Sequence, residues 1–139
     1  MINKKALGMQ DRTAILSTVW IFLTANYIYC DVLAHMEPAT IKEIITGTIG
    51  SIQVTQGFLL SAAIMMEIPF AMILLARVLP YRANRWANII AGTVMVVIQV
   101  GTMGMGTAPT LYYLFYSAIE IACALFVAWY AWTWRNSEG

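Results

Sequence analysis

The chain has 139 residues, 60% hydrophobic and 11% charged, against about 25% charged in soluble domains; this argues against a water-soluble domain and leaves room for one small membrane domain. The formal net charge is +1 and no basic run occurs, which argues against a nucleic-acid partner. Cys30 and Cys123 are too few and too far apart for a CxxC or zinc motif and are expected as apolar-tolerant residues of the bundle, with a Cys30–Cys123 disulfide as the alternative.

In chain order, Lys4 and Lys5 precede an apolar run that is too long for a signal-peptide core and has no small-residue cleavage site, so a retained anchor is expected. The first span is predicted at about 13–33. In the loop that follows, Pro38 suits a first helical turn and Gly47 a stop, with Ile41, Ile44 and Ile45 on one face. A short amphipathic helix over 38–46 is expected at the outer interface. The stretch GTIGSIQV after it has extended or turn character and is expected to fold back over the bundle.

The second span, 56–76, organises the reading. It carries Glu67 near its middle and Pro69 two residues on. A carboxyl at that depth costs on the order of 2.5–3.5 kcal/mol even on lenient insertion scales. Pro69 has no N–H to offer the carbonyl of Met65 one turn back. The short loop RVLPYRANR then makes the second and third helices an antiparallel pair, with the third span predicted at 86–105 and the fourth at 111–133. Gly101, Gly104 and Gly106 are expected to let helices approach closely. The result is an all-α, up-down, four-transmembrane-helix bundle. Lys4, Lys5, Arg12, Arg77, Arg82, Arg85 and Arg135 share one face and only Lys42 lies on the other, so both termini are expected in the cytoplasm. Trp86, Trp129, Trp132 and Trp134 at that face, and Tyr27, Tyr29, Tyr112, Tyr113 and Tyr116 at the other, read as interfacial belts.

Each span aligns its polar residues at spacings of three and four, which places them on one helix face. Ser17, Trp20, Thr24, Tyr27 and Asp31 form the first stripe, and Gln56, Ala63 and Glu67 the second. Asn88, Gln99 and Thr102 fall on the third, and Tyr113, Ser117 and Glu120 on the fourth. In lipid such faces are expected to turn inward. Glu67 and Glu120 lie near mid-membrane and Asp31 near the outer surface, which fits a pocket open to the outside better than a through-pore. The candidate ligand-binding residues are Glu67, Glu120, Asp31, Gln99, Tyr27, Asn88 and Tyr113. A metal site on Asp31, His35, Glu67 and Glu120 is disfavoured, because His35 is the only histidine and sits at the membrane edge. No nucleophile–base pair, phosphate loop or dinucleotide fingerprint occurs, so no catalytic residue is assigned and no cofactor is named.

The pieces LSTVWIF, NYIYCDV, GFLLSAAIMMEIP, NRWANII, YSAIEI and WYAWTW resemble a family of small four-span bacterial inner-membrane proteins of uncharacterised function. The layout, an acid in the second span and a basic loop after it, is distantly similar to DoxX-type four-helix membrane proteins, some tied to quinone or thiol redox chemistry. The expected function is binding or transport of a small amphipathic or cationic ligand, with a homodimer expected for transport. The alternatives are a DoxX-like redox-accessory subunit or a structural partner in a membrane complex.

Overall fold

The computed structural model describes residues 4–105 and 109–135. Helix α1 (Lys4–Ala34) runs 31 residues, starting well before the span predicted from residue 13, because no proline interrupts the segment between Lys4 and Arg12. At about 1.5 Å per residue it overshoots a bilayer core of about 30 Å. Helix α2 (Pro38–Thr46) has the predicted bounds: proline opens its first turn, and Gly47, at φ 70°, closes it by donating its N–H to the Glu43 and Ile44 carbonyls. Strands β1 (Thr48–Ile49) and β2 (Ile52–Gln53) then pair antiparallel. Gly50, at φ 58°, supplies the left-handed residue their two-residue turn requires.

Helix α3 (Gln56–Val78) is opened by Thr55, whose hydroxyl accepts from the Phe58 N–H at 3.2 Å, and it passes through Pro69 unbroken. Leu79 and Pro80 form the tight corner into α4 (Tyr81–Thr102), and α5 (Leu111–Trp132) follows. Three of these helices, over Leu7–Ala34, Gln56–Val78 and Leu111–Trp132, are long and apolar enough to cross a membrane. Helix α4, which holds most of the span predicted at 86–105, is not among them. It is equally long, but Arg82, Asn84, Arg85, Asn88 and Gln99 dilute it, and it ends at Thr102, short of the predicted boundary.

The four long helices close a ring in which α1 packs on α3 and α5, and α4 packs on α5 and α3. Ser17, near the middle of α1, donates to the carbonyl of Ile73, late in α3, at 2.9 Å, while Asp31 near the end of α1 shares a cavity wall with Phe58 at the start of α3, so those helices run antiparallel. The basic residues of α1, α3 and α4 therefore gather at one end of the bundle, and Asp31, Glu37 and Glu43 lie at the other. The interior holds Ser17, Thr24, Asn84, Asn88, Gln99, Ser117 and Glu120 beside Leu16, Trp20, Leu23 and Met72. The exterior displays Ile21, Phe22, Leu60, Ile64, Leu74, Val97 and Phe115. Polar inside and apolar outside is the arrangement that lipid rather than water stabilises.

Helices α4 and α5 approach closely at Gly92. A Cβ there would stand 2.8 Å from the Ala124 carbonyl oxygen and 3.3 Å from the Ala128 Cβ. The glycines expected to have this role do not: Gly101 faces open space, and Gly104 meets nothing nearer than a backbone oxygen at 4.0 Å. Gly101 sits in the last turn of α4 and Gly104 just past its end. Gly106 lies outside the described residues.

Candidate functional site

A cavity of about 290 Å³ lies inside the helix ring toward the acidic end. Helix α1 contributes Tyr27, Cys30 and Asp31, α4 contributes Gln99, and α5 contributes Tyr113 and Glu120. These positions recur at three and four residues along their helices, and that spacing is what aims them at one space. Five of the seven residues singled out in the sequence, Tyr27, Asp31, Gln99, Tyr113 and Glu120, therefore meet around one cavity.

Glu120 is its most confined polar group. It is 1% exposed, nine positions into α5, and its Oε1 atom is buried without a hydrogen-bond partner, as is the Tyr27 hydroxyl. A buried polar atom left unpaired costs about 1–3 kcal/mol, so this pair of atoms in a cavity wall favours whatever can supply their missing partners. Gln99 donates its side-chain N–H to the Ser117 hydroxyl at 2.8 Å, one turn above Glu120, and this leaves its amide oxygen for the cavity. Asp31 stands exposed at the rim. The remaining wall is soft and apolar, with Met65, Met66, Met95 and Ile98; methionines suit an irregular guest because they are flexible and polarizable. Met65 is also the residue whose carbonyl Pro69 deprives of its helical partner.

A vestibule of about 410 Å³ sits above, walled by α2, β1 and the start of α5, and it shares Phe58, Thr102 and Tyr113 with the cavity below. The Thr102 and Tyr113 hydroxyls lie 3.3 Å apart at this neck. Glu37 accepts from Thr40 at 3.3 Å and from the Tyr112 hydroxyl at 3.4 Å, which fixes α2 to α5. Glu43 accepts from the Gly50 N–H at 3.1 Å, which fixes the hairpin to α2. The segment after Thr46 does fold back, as a wall of the mouth.

Below the cavity the bundle is closed. Trp20 donates its indole N–H to Asn88 Oδ1 at 2.7 Å, Asn88 donates to Asn84 Oδ1 at 2.7 Å, and Asn84 donates to the Ala76 carbonyl at 2.7 Å. This chain ties α1, α4 and α3 together and uses the side chain of Asn88, so Asn88 supports the floor and does not line the cavity. At the basic end, Arg85 donates to the Ala131 and Trp132 carbonyls at 3.3 and 3.0 Å, and Arg12 to the Tyr130 carbonyl at 3.3 Å. These carbonyls belong to the last turn of α5, the end of a helix that cations stabilise.

Glu67 is the residue the structure keeps apart. It lies on the exposed face of α3 and is absent from the cavity wall. The face of α3 that turns inward carries Met65, Met66, Pro69, Met72 and Ala76, because these small and flexible side chains pack against α1 and α4 at close range. Cys30 was the cavity residue that polar spacing passed over, although it falls three positions from Tyr27 on the same face. His35 turns Nδ1 to the Asp31 carbonyl at 2.6 Å, and among the described residues no three His, Cys, Asp or Glu side chains gather as metal ligands. Both cysteines are free thiols. No curated protein and no protein of solved structure matches the chain. A family model does, over residues 6–139: the chain belongs to DUF6326, a family of unknown function.

Proposed function

We propose that this is a four-span bacterial inner-membrane protein, both termini cytoplasmic, whose cavity opens outward and binds a small amphipathic cation. The observation that carries the proposal is Glu120, 1% exposed, with a carboxyl oxygen unpartnered in the wall of the cavity. A cationic head would pair with that carboxyl, the Tyr27 hydroxyl and the Gln99 amide oxygen would accept from it, and an apolar body would lie on Met65, Met66 and Met95. Asp31 at the rim, with Glu37 and Glu43 in the vestibule, would draw a cation inward. The volume of about 290 Å³ sits at the small end of ligand pockets, which run to roughly 300–1,000 Å³.

Helix α4 is read as the fourth span because Asn84, Asn88 and Gln99 are turned in and Ile90, Val94, Val97 and Val100 are turned out, so a largely apolar face would meet lipid. Orientation rests on the gathering of basic residues at one end. Transport would require the Trp20–Asn88–Asn84 floor to open, so binding is the activity the present arrangement supports. A redox-accessory role, of the kind the DoxX likeness suggests, is the second reading and is favoured by one observation, the Cys30 thiol in the cavity wall. It requires Cys30→Ser to abolish function.

Native mass spectrometry of the detergent-purified protein, wild type against Glu120→Gln, tests the proposal. A small molecule retained by the wild type and lost from the variant supports it. A wild type that carries nothing and matches the variant in stability would make the carboxyl structural.

A further inference from the structure

The outward face of α3 carries a problem that the cavity does not solve. Glu67 is exposed at the midpoint of a 23-residue apolar helix, about 16 Å from its nearer end at 1.5 Å per residue, beyond the reach of a glutamate side chain toward water. Its neighbours on the surface are Leu60, 63% exposed, Ile64, 61%, and Leu74, 69%. Helix α3 is also the least enclosed of the three span-length helices, with 11% of its apolar stretch buried against 44% for α1.

The face has an order of its own. Gln56, Leu60, Ala63, Glu67, Phe70 and Leu74 are all exposed and follow one another at intervals of four and three, the spacing of a helix–helix seam. Ala63, one turn before Glu67, is small enough to let a second backbone come close. Arg77, the next position in the series, is turned toward α1 by its bond from Nε to the Ser17 hydroxyl at 3.1 Å, which clears the end of the strip.

We propose that this strip is the seam of a homodimer in which α3 packs against α3 and the two Glu67 carboxyls hydrogen-bond to each other at the membrane midplane. The second copy is favoured as occupant by depth and chemistry. Copies inserted in one orientation and related by a twofold axis along the membrane normal bring each residue of α3 to the depth of its own counterpart. A carboxyl is self-complementary when one of the pair carries a proton, donating through one O–H and accepting on the other carboxylate. Lipid tails offer no such group, and a different protein would need its own polar side chain at that depth. The inference is independent of the ligand reading, because Glu67 and the cavity lie on opposite faces of α3.

The test uses the full chain in lipid nanodiscs, with one added cysteine per variant and the native thiols unchanged. Leu60→Cys and Ala63→Cys are expected to form intermolecular disulfides on mild oxidation. Leu59→Cys and Leu75→Cys, exposed on the same helix but off the strip, are expected to react at least about tenfold more slowly. Native mass spectrometry is expected to give a dimer for the wild type and for Glu67→Gln, whose amides also pair. Glu67→Lys, which opposes two ammonium groups, is expected to shift the equilibrium at least about tenfold toward monomer. A monomeric wild type, equal cross-linking on and off the strip, or a Glu67→Lys dimer as stable as the wild type would each overturn the proposal.

Discussion

The indole N–H of Trp20 meets Oδ1 of Asn88 at 2.7 Å, with both side chains fully buried. This bond closes the floor of the cavity and links α1 to α4. Trp20→Phe keeps an aromatic ring but removes the five-membered part of the indole and leaves an amide oxygen without its donor, so a loss of about 2–4 kcal/mol is expected, the vacated volume adding to the hydrogen bond. Asn88→Ala should cost more, since it also unlinks Asn84. Thermal unfolding in detergent checks both, and an Asn88→Ala protein as stable as the wild type would show that the floor does not depend on this chain of bonds.

Gly92 lets α4 and α5 touch. A methyl group there would stand 2.8 Å from the Ala124 carbonyl oxygen, a backbone atom that cannot move without shifting α5. Gly92→Ala should destabilise by about 1–3 kcal/mol through overpacking. Gly101→Ala meets open space and should be neutral or slightly stabilising, since alanine is the better helix former by about 1 kcal/mol. The two unfolding curves measured side by side decide the matter.

Arg85 binds the last carbonyls of α5, and its guanidinium carbon lies 5.7 Å from the centre of the Trp132 ring. Arg85→Ala should fray that terminus while leaving the cavity intact. Hydrogen exchange is expected to rise over 129–132 and stay unchanged over 113–120. A uniform rise along α5 would mean that the arginine supports the whole helix.

The sequence made the helices and the inward-facing stripes of α1, α4 and α5 legible, because polar residues spaced at three and four in an apolar chain have few other places to go. Pro38 and Gly47 marked both ends of α2 for the same reason: each has a conformational requirement that only a terminus meets. The orientation of α3 was not legible. Its polar strip, Gln56, Ala63 and Glu67, faces outward because the competing face, rich in methionine and small residues, packs better against α1 and α4, and spacing alone does not weigh two faces of one helix. Gly92 was hidden in a similar way, since its role depends on Ala124 and Ala128 in another helix. Helix α4 falls short of the hydropathy of the other three because Arg82, Asn84, Arg85, Asn88 and Gln99 offset its aliphatic side.

Cys30 offers a native reporter of the cavity. It is 7% exposed and lines the wall that holds Tyr27 and Glu120. A cationic thiol reagent, 2-ammonioethyl methanethiosulfonate, should label it through the vestibule. Labelling should slow at least about threefold in Glu120→Gln, a loss well within that of one charge-assisted contact. The half-buried Cys123, read by mass spectrometry in the same digest, is the internal comparison. Equal labelling of Cys30 in both proteins would argue against guidance of cations to the carboxyl.

The most direct measurement is a titration of the protein in nanodiscs with benzylammonium and with its uncharged carbon isostere, ethylbenzene. The two share a shape and differ in charge. If Glu120 anchors a cationic head, the cation binds the wild type more tightly than the isostere does, and Glu120→Gln removes about 1.5–3 kcal/mol of the cation's affinity, roughly tenfold or more, while leaving the isostere unaffected. Equal binding of the two compounds, or cation binding that survives Glu120→Gln unchanged, would contradict a cation site in the wall of this cavity.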